Sequence, residues 1–351
     1  MTTLVATIDA AVGVDTHRDT HEAELVTPSG VIVDTTQVAN SSSGFVDLLA
    51  WIAEHAPGPR VAVAVEGTRS YGIGLARALT AAGHTVIEAE QPTRRNRRGK
   101  GKTDAIDAYL AAMFVLHQDD QHLPTPRADG TREALRILLS ARTELTTTAT
   151  AQTNRLRALL LSGDDRDRDT ARHALPDATL ASLTRRRLPA AGADPHATVR
   201  HAEIRRLATA LRLAAIQLRT NRTQLLELVR DIAPGLTDRP GIGPVSAVQV
   251  VVSFSHPGRL RSEAAFAALA GTSPLQASSG QTVRHRLNRG GDRALNRALH
   301  TIVLTRMRSC PTTRAYVVKR TAEGKTTREI RRILKRYVTR ELYRALTPAR
   351  A

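Results

Sequence analysis

Three observations predict an α/β domain followed by helices. Strand and helix patterns alternate over the first hundred residues. Two long stretches then keep three-four apolar spacing, and the last third is helical and strongly basic. The expected order is an α/β domain over 1–125, a helical, coiled-coil-like dimerisation region over 126–235, and a mainly α domain over 236–351. At 351 residues the chain has room for two or three domains of roughly 100–200 residues.

Val12-Gly13-Val14-Asp15 reads as a buried strand, with further strands at Glu22–Val26 and Val31–Val38. Pro28-Ser29-Gly30 supplies the turn that a hairpin between those two needs. Residues 44–55 have helical periodicity, Arg60–Glu66 is a β-branched strand, 71–82 is helical and Thr85–Ala89 is a strand. A mixed sheet follows from this order. Next come a basic run from Arg94 to Lys102 and a helix starting near Thr103.

Leu135, Leu138, Leu145, Ala149, Leu156 and Leu159 mark a long helix over about 132–162, interrupted by Arg142 and Gln152. A second covers about 199–233, with Ile204, Leu207, Leu211, Ala214, Leu218, Leu225, Leu228 and Ile232 in a seam broken by Asn221. Such helices can pair with each other and still offer apolar surface to a second chain. Between them, 163–196 is charged and poor in apolar residues, and reads as an exposed insertion. Further helices are expected at 245–254, 262–270, 292–309, 312–322 and 327–346. Residues 271–291 read as loop or short strand.

Composition excludes several classes. No apolar stretch approaches the ~18 residues of a membrane span, and the first residues lack the pattern of a signal peptide. One cysteine, Cys310, excludes a disulfide framework and a cysteine zinc site, so a cytoplasmic protein is expected. The net charge is +18, distributed as −3 over 1–110, +5 over 111–235 and +16 over 236–351. Arginine-rich codon usage explains arginine over lysine but not the scarcity of acids after 235. A polyanionic partner, nucleic acid, is the better reading of that scarcity.

Four carboxylates stand where sheet elements end. Asp15 closes the first strand and Glu66 the Val61–Val65 strand, while Asp104 and Asp107 lie three apart at a helix start, on one face. Oxygen-only donors suit Mg2+ or Mn2+ in phosphodiester chemistry. Taken singly, Asp15 also reads as a turn residue and Asp104 as a helix-start residue. Asp9, Asp19, Glu88 and Glu90 read as solvated surface charges. The basic side chains Arg94, Arg95, Arg97, Arg98, Lys100 and Lys102 would hold a phosphate backbone at the lip of the site. Pro240-Gly241-Ile242-Gly243-Pro244 resembles the turn of a helix-hairpin-helix module, in which Gly241 and Gly243 let backbone N–H groups approach a DNA phosphate; a plain interhelical turn has the same residues. Ser278-Ser279-Gly280, followed by Arg284, His285, Arg286 and Arg289, places a hydroxyl in an electropositive loop.

Together, Gly13–His17 (GVDTH), Val65–Thr68 (VEGT) and Lys102–Ala108 (KTDAIDA) resemble the acidic tetrad of DEDD-type insertion-sequence transposases related to the Piv DNA invertases. RPGIGPVSA, FAALAGTSP and SSGQTVRHRLNRGGDRALNRALH resemble the second domain of that family, in the same order. The resemblance runs from about residue 10 to 345. It implies a RuvC-like, RNase H-like N-terminal fold, with Asp15, Glu66, Asp104 and Asp107 as metal ligands and Ser279 as the nucleophile on a DNA phosphodiester. It also implies double-stranded DNA and a structured guide RNA, the bridge RNA, as partners, and dimers that pair into tetramers. Many members carry Ser-Lys-x-Gly-Asn where this chain has Leu287-Asn288-Arg289-Gly290-Gly291-Asp292. The reading that follows is a transposase using serine attack assisted by Mg2+, with Arg284, Arg286 and Arg289 on phosphate and His285 available for proton transfer. Its rivals are a metal-only, resolvase-like nuclease in which water attacks, and a nucleic-acid-binding protein without cleavage.

Overall fold

The computed structural model describes residues 3–89, 104–119, 123–127, 129–187, 189, 194–255, 259–260, 262–276, 285–286, 288 and 290–347, excluding the side chains of Asp104 and His285. The chain forms two compact units that cut across the expected three-part division. One joins Met1–Glu133, Ser253–Asn296 and Arg332–Ala351, and the other joins Ala134–Val252 and Arg297–Arg331.

In the first unit, β1 (Ala10–Thr16), β2 (Thr20–Val26) and β3 (Ile32–Ala39) form an antiparallel meander. The expected Pro28–Gly30 turn joins β2 to β3, with Gly30 at φ 82°. Helix α1 (Ser42–His55) starts on a Ser41 side-chain cap that accepts from the Gly44 N–H at 3.2 Å. Then β4 (Val61–Glu66), α2 (Ile73–Ala81), β5 (Thr85–Ala89) and α3 (Asp104–Leu116) complete a mixed α/β sheet. Strand order is β3-β2-β1-β4-β5, with β4 parallel to β1 and to β5.

The buried strands carry a second alternation, of size rather than polarity. Val12, Val14, Val63 and Val65 face α1 and α2, where Leu48, Ile52, Leu75 and Leu79 fill the core. Ala11, Ala62 and Ala64 lie on the other face with Ala111, Ala112 and Val115 of α3. Successive side chains of a strand point to opposite faces, so large residues hold two helices at ordinary distance while small ones let a single helix lie close.

His21 is fully buried on the α1 side and stacks on Phe45 with ring centroids 6.0 Å apart. Burial pushes its pKa below the ordinary 6.5. The unfolded chain therefore takes up this proton first as pH falls. The stability contributed by the neutral ring is complete above about pH 6.5 and is lost as pH drops through that value toward the lowered folded-state pKa. Melting temperatures between about pH 7 and pH 5 should fall more steeply for the wild type than for His21→Phe, which keeps the stack and removes the titration.

The second unit is built on helices α4 (Gly130–Leu161) and α7 (Pro195–Ile232), both close to their expected spans. Asp194 caps α7 and Pro195 opens it. Leu156, Leu160, Ile204, Leu207 and Leu211 pack in one core, so the two long helices form an antiparallel pair within the chain. The two polar interruptions of the seams meet. Asn221 Nδ2 donates to the Leu138 carbonyl at 2.9 Å, and Arg142 donates to the Leu218 carbonyl at 3.1 Å and to Asn221 Oδ1 at 3.4 Å. A one-turn slip would bury these groups unpaired, which fixes the register.

Within the expected exposed insertion, residues 163–187 fold into the helical core. They form α5 (Asp165–Arg172) and α6 (Asp177–Thr184), which bury Ala171, Leu180 and Leu183 in the same core. Asp167, only 4% exposed, accepts from Arg186 at 2.6 and 3.0 Å and from Arg200 at 2.8 Å. Pairing of this kind lets a charged sequence fold inward. Next come α8 (Pro244–Phe254), α9 (Glu263–Leu269), the strands β6 (Leu275–Gln276) and β7 (His285–Arg286), α10 (Arg293–Ser309), α11 (Pro311–Ala322) and α12 (Thr327–Leu346). Among the described residues, no helix is long and apolar enough to cross a membrane.

Candidate active site

The C-terminal ends of β1 and β4 lie side by side, because these strands pair in parallel with Val14 opposite Val65. Asp15 and Glu66 are the next residues of each strand. Both continue the small-residue face, Asp15 after Ala11 and Gly13, and Glu66 after Ala62 and Ala64. Each is 7% exposed. Thr16 ties the strand ends together by donating from Oγ1 to the Glu66 carbonyl at 2.9 Å. Gly67, at φ 64°, turns the chain away there, and a Cβ on it would stand 2.8 Å from Thr16 Oγ1.

Helix α3 brings Asp107 to this face. It lies so close over β1 that a Cβ on Gly13 would be 1.9 Å from the Ala108 carbonyl oxygen and 2.3 Å from the Ala112 nitrogen. Asp107, 5% exposed, precedes Ala108 in this contact. Asp104 is the first residue of α3, about one turn earlier; its side chain lies outside the described residues. His17, to which sequence reading gave no role, lies with Nε2 3.3 Å from Asp15 Oδ2. Its signals are its place two residues beyond Asp15, where the strand has just ended, and its inclusion in the GVDTH stretch.

Among the described residues, no group of three or more His, Cys, Asp or Glu side chains converges closely enough to hold a metal ion. Asp15, Glu66 and Asp107 are nonetheless buried oxygen donors on one face of the sheet, a donor set suited to a hard divalent cation.

Two short strands stand in the 271–291 stretch, which the sequence predicts as loop or short strand. Leu275 pairs with Arg286 and Gln276 with His285, antiparallel, and Arg286 is exposed. Ser278, Ser279, Gly280 and Arg284 fall between these strands, outside the described residues, as do Arg289 and the run Arg94–Lys102. The base of the hairpin is fixed by polar contacts. Asp292 caps α10, accepting from the Ala294 and Leu295 N–H groups at 2.8 and 3.0 Å, and Ser253 Oγ is hydrogen-bonded to its other oxygen. Asp292 thus meets the need of a helix start that asparagine would also meet. Gly291, at φ 85°, passes the Leu269 carbonyl so closely that a Cβ would be 2.3 Å from it. Asn296 donates to the Ala270 carbonyl at 2.7 Å and accepts from Lys335 Nζ at 2.8 Å.

At the expected helix-hairpin-helix turn, Gly241 has a reason internal to the fold. Its φ is 75°, and a Cβ would meet the Ile302 carbonyl and Arg306 Cγ at 2.9 Å. Arg306 also donates to the Pro240 carbonyl at 2.7 Å. Gly243 faces open space, with no such contact within 4 Å.

Known proteins match both regions. The family model DEDD_Tnp_IS110, described as transposase, matches residues 12–163, and that of the Transposase IS116/IS110/IS902 family matches 234–318. The insertion element IS900 uncharacterized 42 kDa protein of Mycobacterium paratuberculosis is 26% identical over 89% of this chain and 89% of its own length. The insertion element IS110 uncharacterized 43.6 kDa protein of Streptomyces coelicolor is 31% identical over 123 residues, 34% of this chain and 30% of its own length. The first match covers the acidic sheet domain and the second reaches through the hairpin into α10 and α11. The two transposase domain models, matched in this order, support an IS110-type insertion-sequence transposase and indicate an enzyme that cuts and rejoins DNA.

Proposed function

We propose that the enzyme attacks a DNA phosphodiester with Ser279 while Asp15, Glu66, Asp104 and Asp107 hold Mg2+ or Mn2+. Support comes above all from one observation: α3, seated on Gly13, carries Asp107 to the sheet face that bears Asp15 and Glu66. The strand order, with an antiparallel meander leading into β4 and β5 parallel to β1, suits an RNase H-like, RuvC-like domain. A divalent cation held there supplies positive charge to the attacked phosphate.

In this reading the Ser279 Oγ gives up its proton and forms a phosphoester as one P–O bond of the strand breaks. The freed strand end leaves as a hydroxyl. A second strand end attacks the phosphoserine to restore the DNA bond and release the serine. Arg284, Arg286 and Arg289 neutralise the phosphate, with His285 available to move the proton. A structured guide RNA, the bridge RNA, selects the double-stranded DNA ends by pairing, and the basic run Arg94–Lys102 with Gly241 and Gly243 contacts backbone. The exposed apolar residues Ile137, Leu213 and Ile216 on α4 and α7 suit association of copies into dimers and tetramers.

The test is a trapping assay with purified protein, Mg2+, RNA from the flanking sequence and labelled element-end DNA on a denaturing gel. Wild type should give a protein–DNA adduct that is lost in Ser279→Ala and in Asp104→Ala. Cleavage by Ser279→Ala without an adduct would replace serine attack by the metal-only nuclease. Tight, salt-dependent binding with no strand breakage in any variant would leave a binding protein.

A further inference from the structure

Helix α11 buries none of its residues, whereas α10 buries Leu299, Ile302 and Val303 and α12 buries Ile330. Contacts within the fold account for one side of it. Thr313, Tyr316, Val317 and Arg320 are half-buried, and they recur at the three-four spacing of a single helix face. On that side Arg320 lies 5.1 Å from the centre of the Tyr316 ring, and it donates to the Tyr316 hydroxyl at 2.9 Å and to Glu323 at 2.6 Å. Pro311 opens the helix and Gly324, at φ 81°, follows its end. Pairs three and four residues apart support a helix that has little core contact.

The opposite side is basic. Residues 306–328 hold seven basic side chains and one acid, Glu323, whose carboxylate Arg320 already binds. Arg308, Arg314 and Arg328 are exposed and form no ion pair among the described residues. Lys319 is exposed too, within the field of Glu323. At about 100° per residue, Arg314 and Lys319 stand roughly 140° apart around the helix axis, with Ala315 and Val318 exposed between them. Val318 keeps 70% of its surface exposed.

This charge calls for a polyanion, and the shape selects duplex DNA. A helix with its side chains is about 10–12 Å across, close to the width of the major groove of B-form DNA. Seated there, it turns short side chains toward the base edges and the flanking basic chains toward the two phosphate strands. The major groove of A-form RNA is too narrow to admit it.

We propose that α11 enters the major groove of duplex DNA, with Arg314 and Lys319 on the phosphates of the two strands and Arg308 and Arg328 on backbone beyond the ends of the helix. The site rests on DNA being the substrate and not on Ser279 or a metal. The test measures binding of the full-length protein, without Mg2+, to a DNA duplex and an RNA duplex of the same sequence across a salt series. Each phosphate contact contributes about 0.9 to the log–log salt slope, so losing one costs about eightfold in affinity at roughly 0.1 M salt.

Arg314→Gln and Lys319→Gln should each lose this much on DNA, and the double variant about sixtyfold, with RNA affinity unchanged. Val318→Asp keeps every cation and should weaken DNA binding at least as much as either single variant, because its carboxylate would stand between the phosphate strands. All three side chains are exposed, so the melting temperature should stay that of wild type. Wild-type DNA affinity and slope in the double variant would overturn the proposal. Equal losses on both duplexes would overturn it as well, by making α11 a surface for any polyanion. No strand is cut in this measurement, so failure of the serine reading leaves its result unchanged.

Discussion

Replacing Gly13 by alanine is expected to destabilise the sheet domain by about 3 kcal/mol and to abolish DNA cleavage. The added methyl would meet the Ala108 carbonyl and the Ala112 nitrogen, both backbone atoms of α3, at 1.9 and 2.3 Å. No rotamer change can relieve a clash with helix backbone, so α3 must lift as a body. Asp107 rides on its first turn and would move away from Asp15 and Glu66. Thermal melting should show a fall of roughly 10 °C, and the adduct assay should show no product. A Gly13→Ala protein that melts and cuts like wild type would mean that α3 is not clamped to β1.

The second large effect lies far from the chemistry. Asp167→Ala should cost about 4 kcal/mol, because it leaves Arg186 and Arg200 inside the helical unit without their shared carboxylate. The two arginines keep 20% and 10% of their side chains exposed, so solvent offsets little of the loss. Asp167→Asn should cost less, since its amide oxygen still accepts one of the hydrogen bonds. Chemical denaturation with a probe in the α4–α7 pair would measure both. Equal stability of Asp167→Ala and wild type would refute the claim that this network holds α5 against α7.

Much of the fold was legible because its signals are local. Alternation of β-branched residues marked β1 and β4, and Pro28–Gly30 marked the hairpin. Three-four spacing gave α4 and α7 to within a few residues. Of the candidate site, the sequence offered Asp15 and Glu66 as acids after buried strands and Asp104 and Asp107 as acids three apart at a helix start, while only the fold sets Asp15, Glu66 and Asp107 on one face. The 163–196 segment misled for a definite reason. Its charges are satisfied by partners as distant as Arg200, and composition carries no information about pairing across 33 residues. Glu88 misled in the same way, through Arg127 at a separation of 39 residues.

The sequence by itself determined the order of strands and helices, the acids and serine available for chemistry, and the basic bias of the last third. Tertiary structure decided which of these meet. It put Asp15 and Glu66 on one face because β1 and β4 pair in parallel, and it brought α3 onto that face because Gly13, Ala11, Ala62 and Ala64 leave room there. It gathered the acidic sheet and the hairpin that brackets Ser279 into one compact unit across more than half the chain. Such meetings depend on strand register and on the closeness of backbone packing, which are set by contacts between residues far apart in sequence.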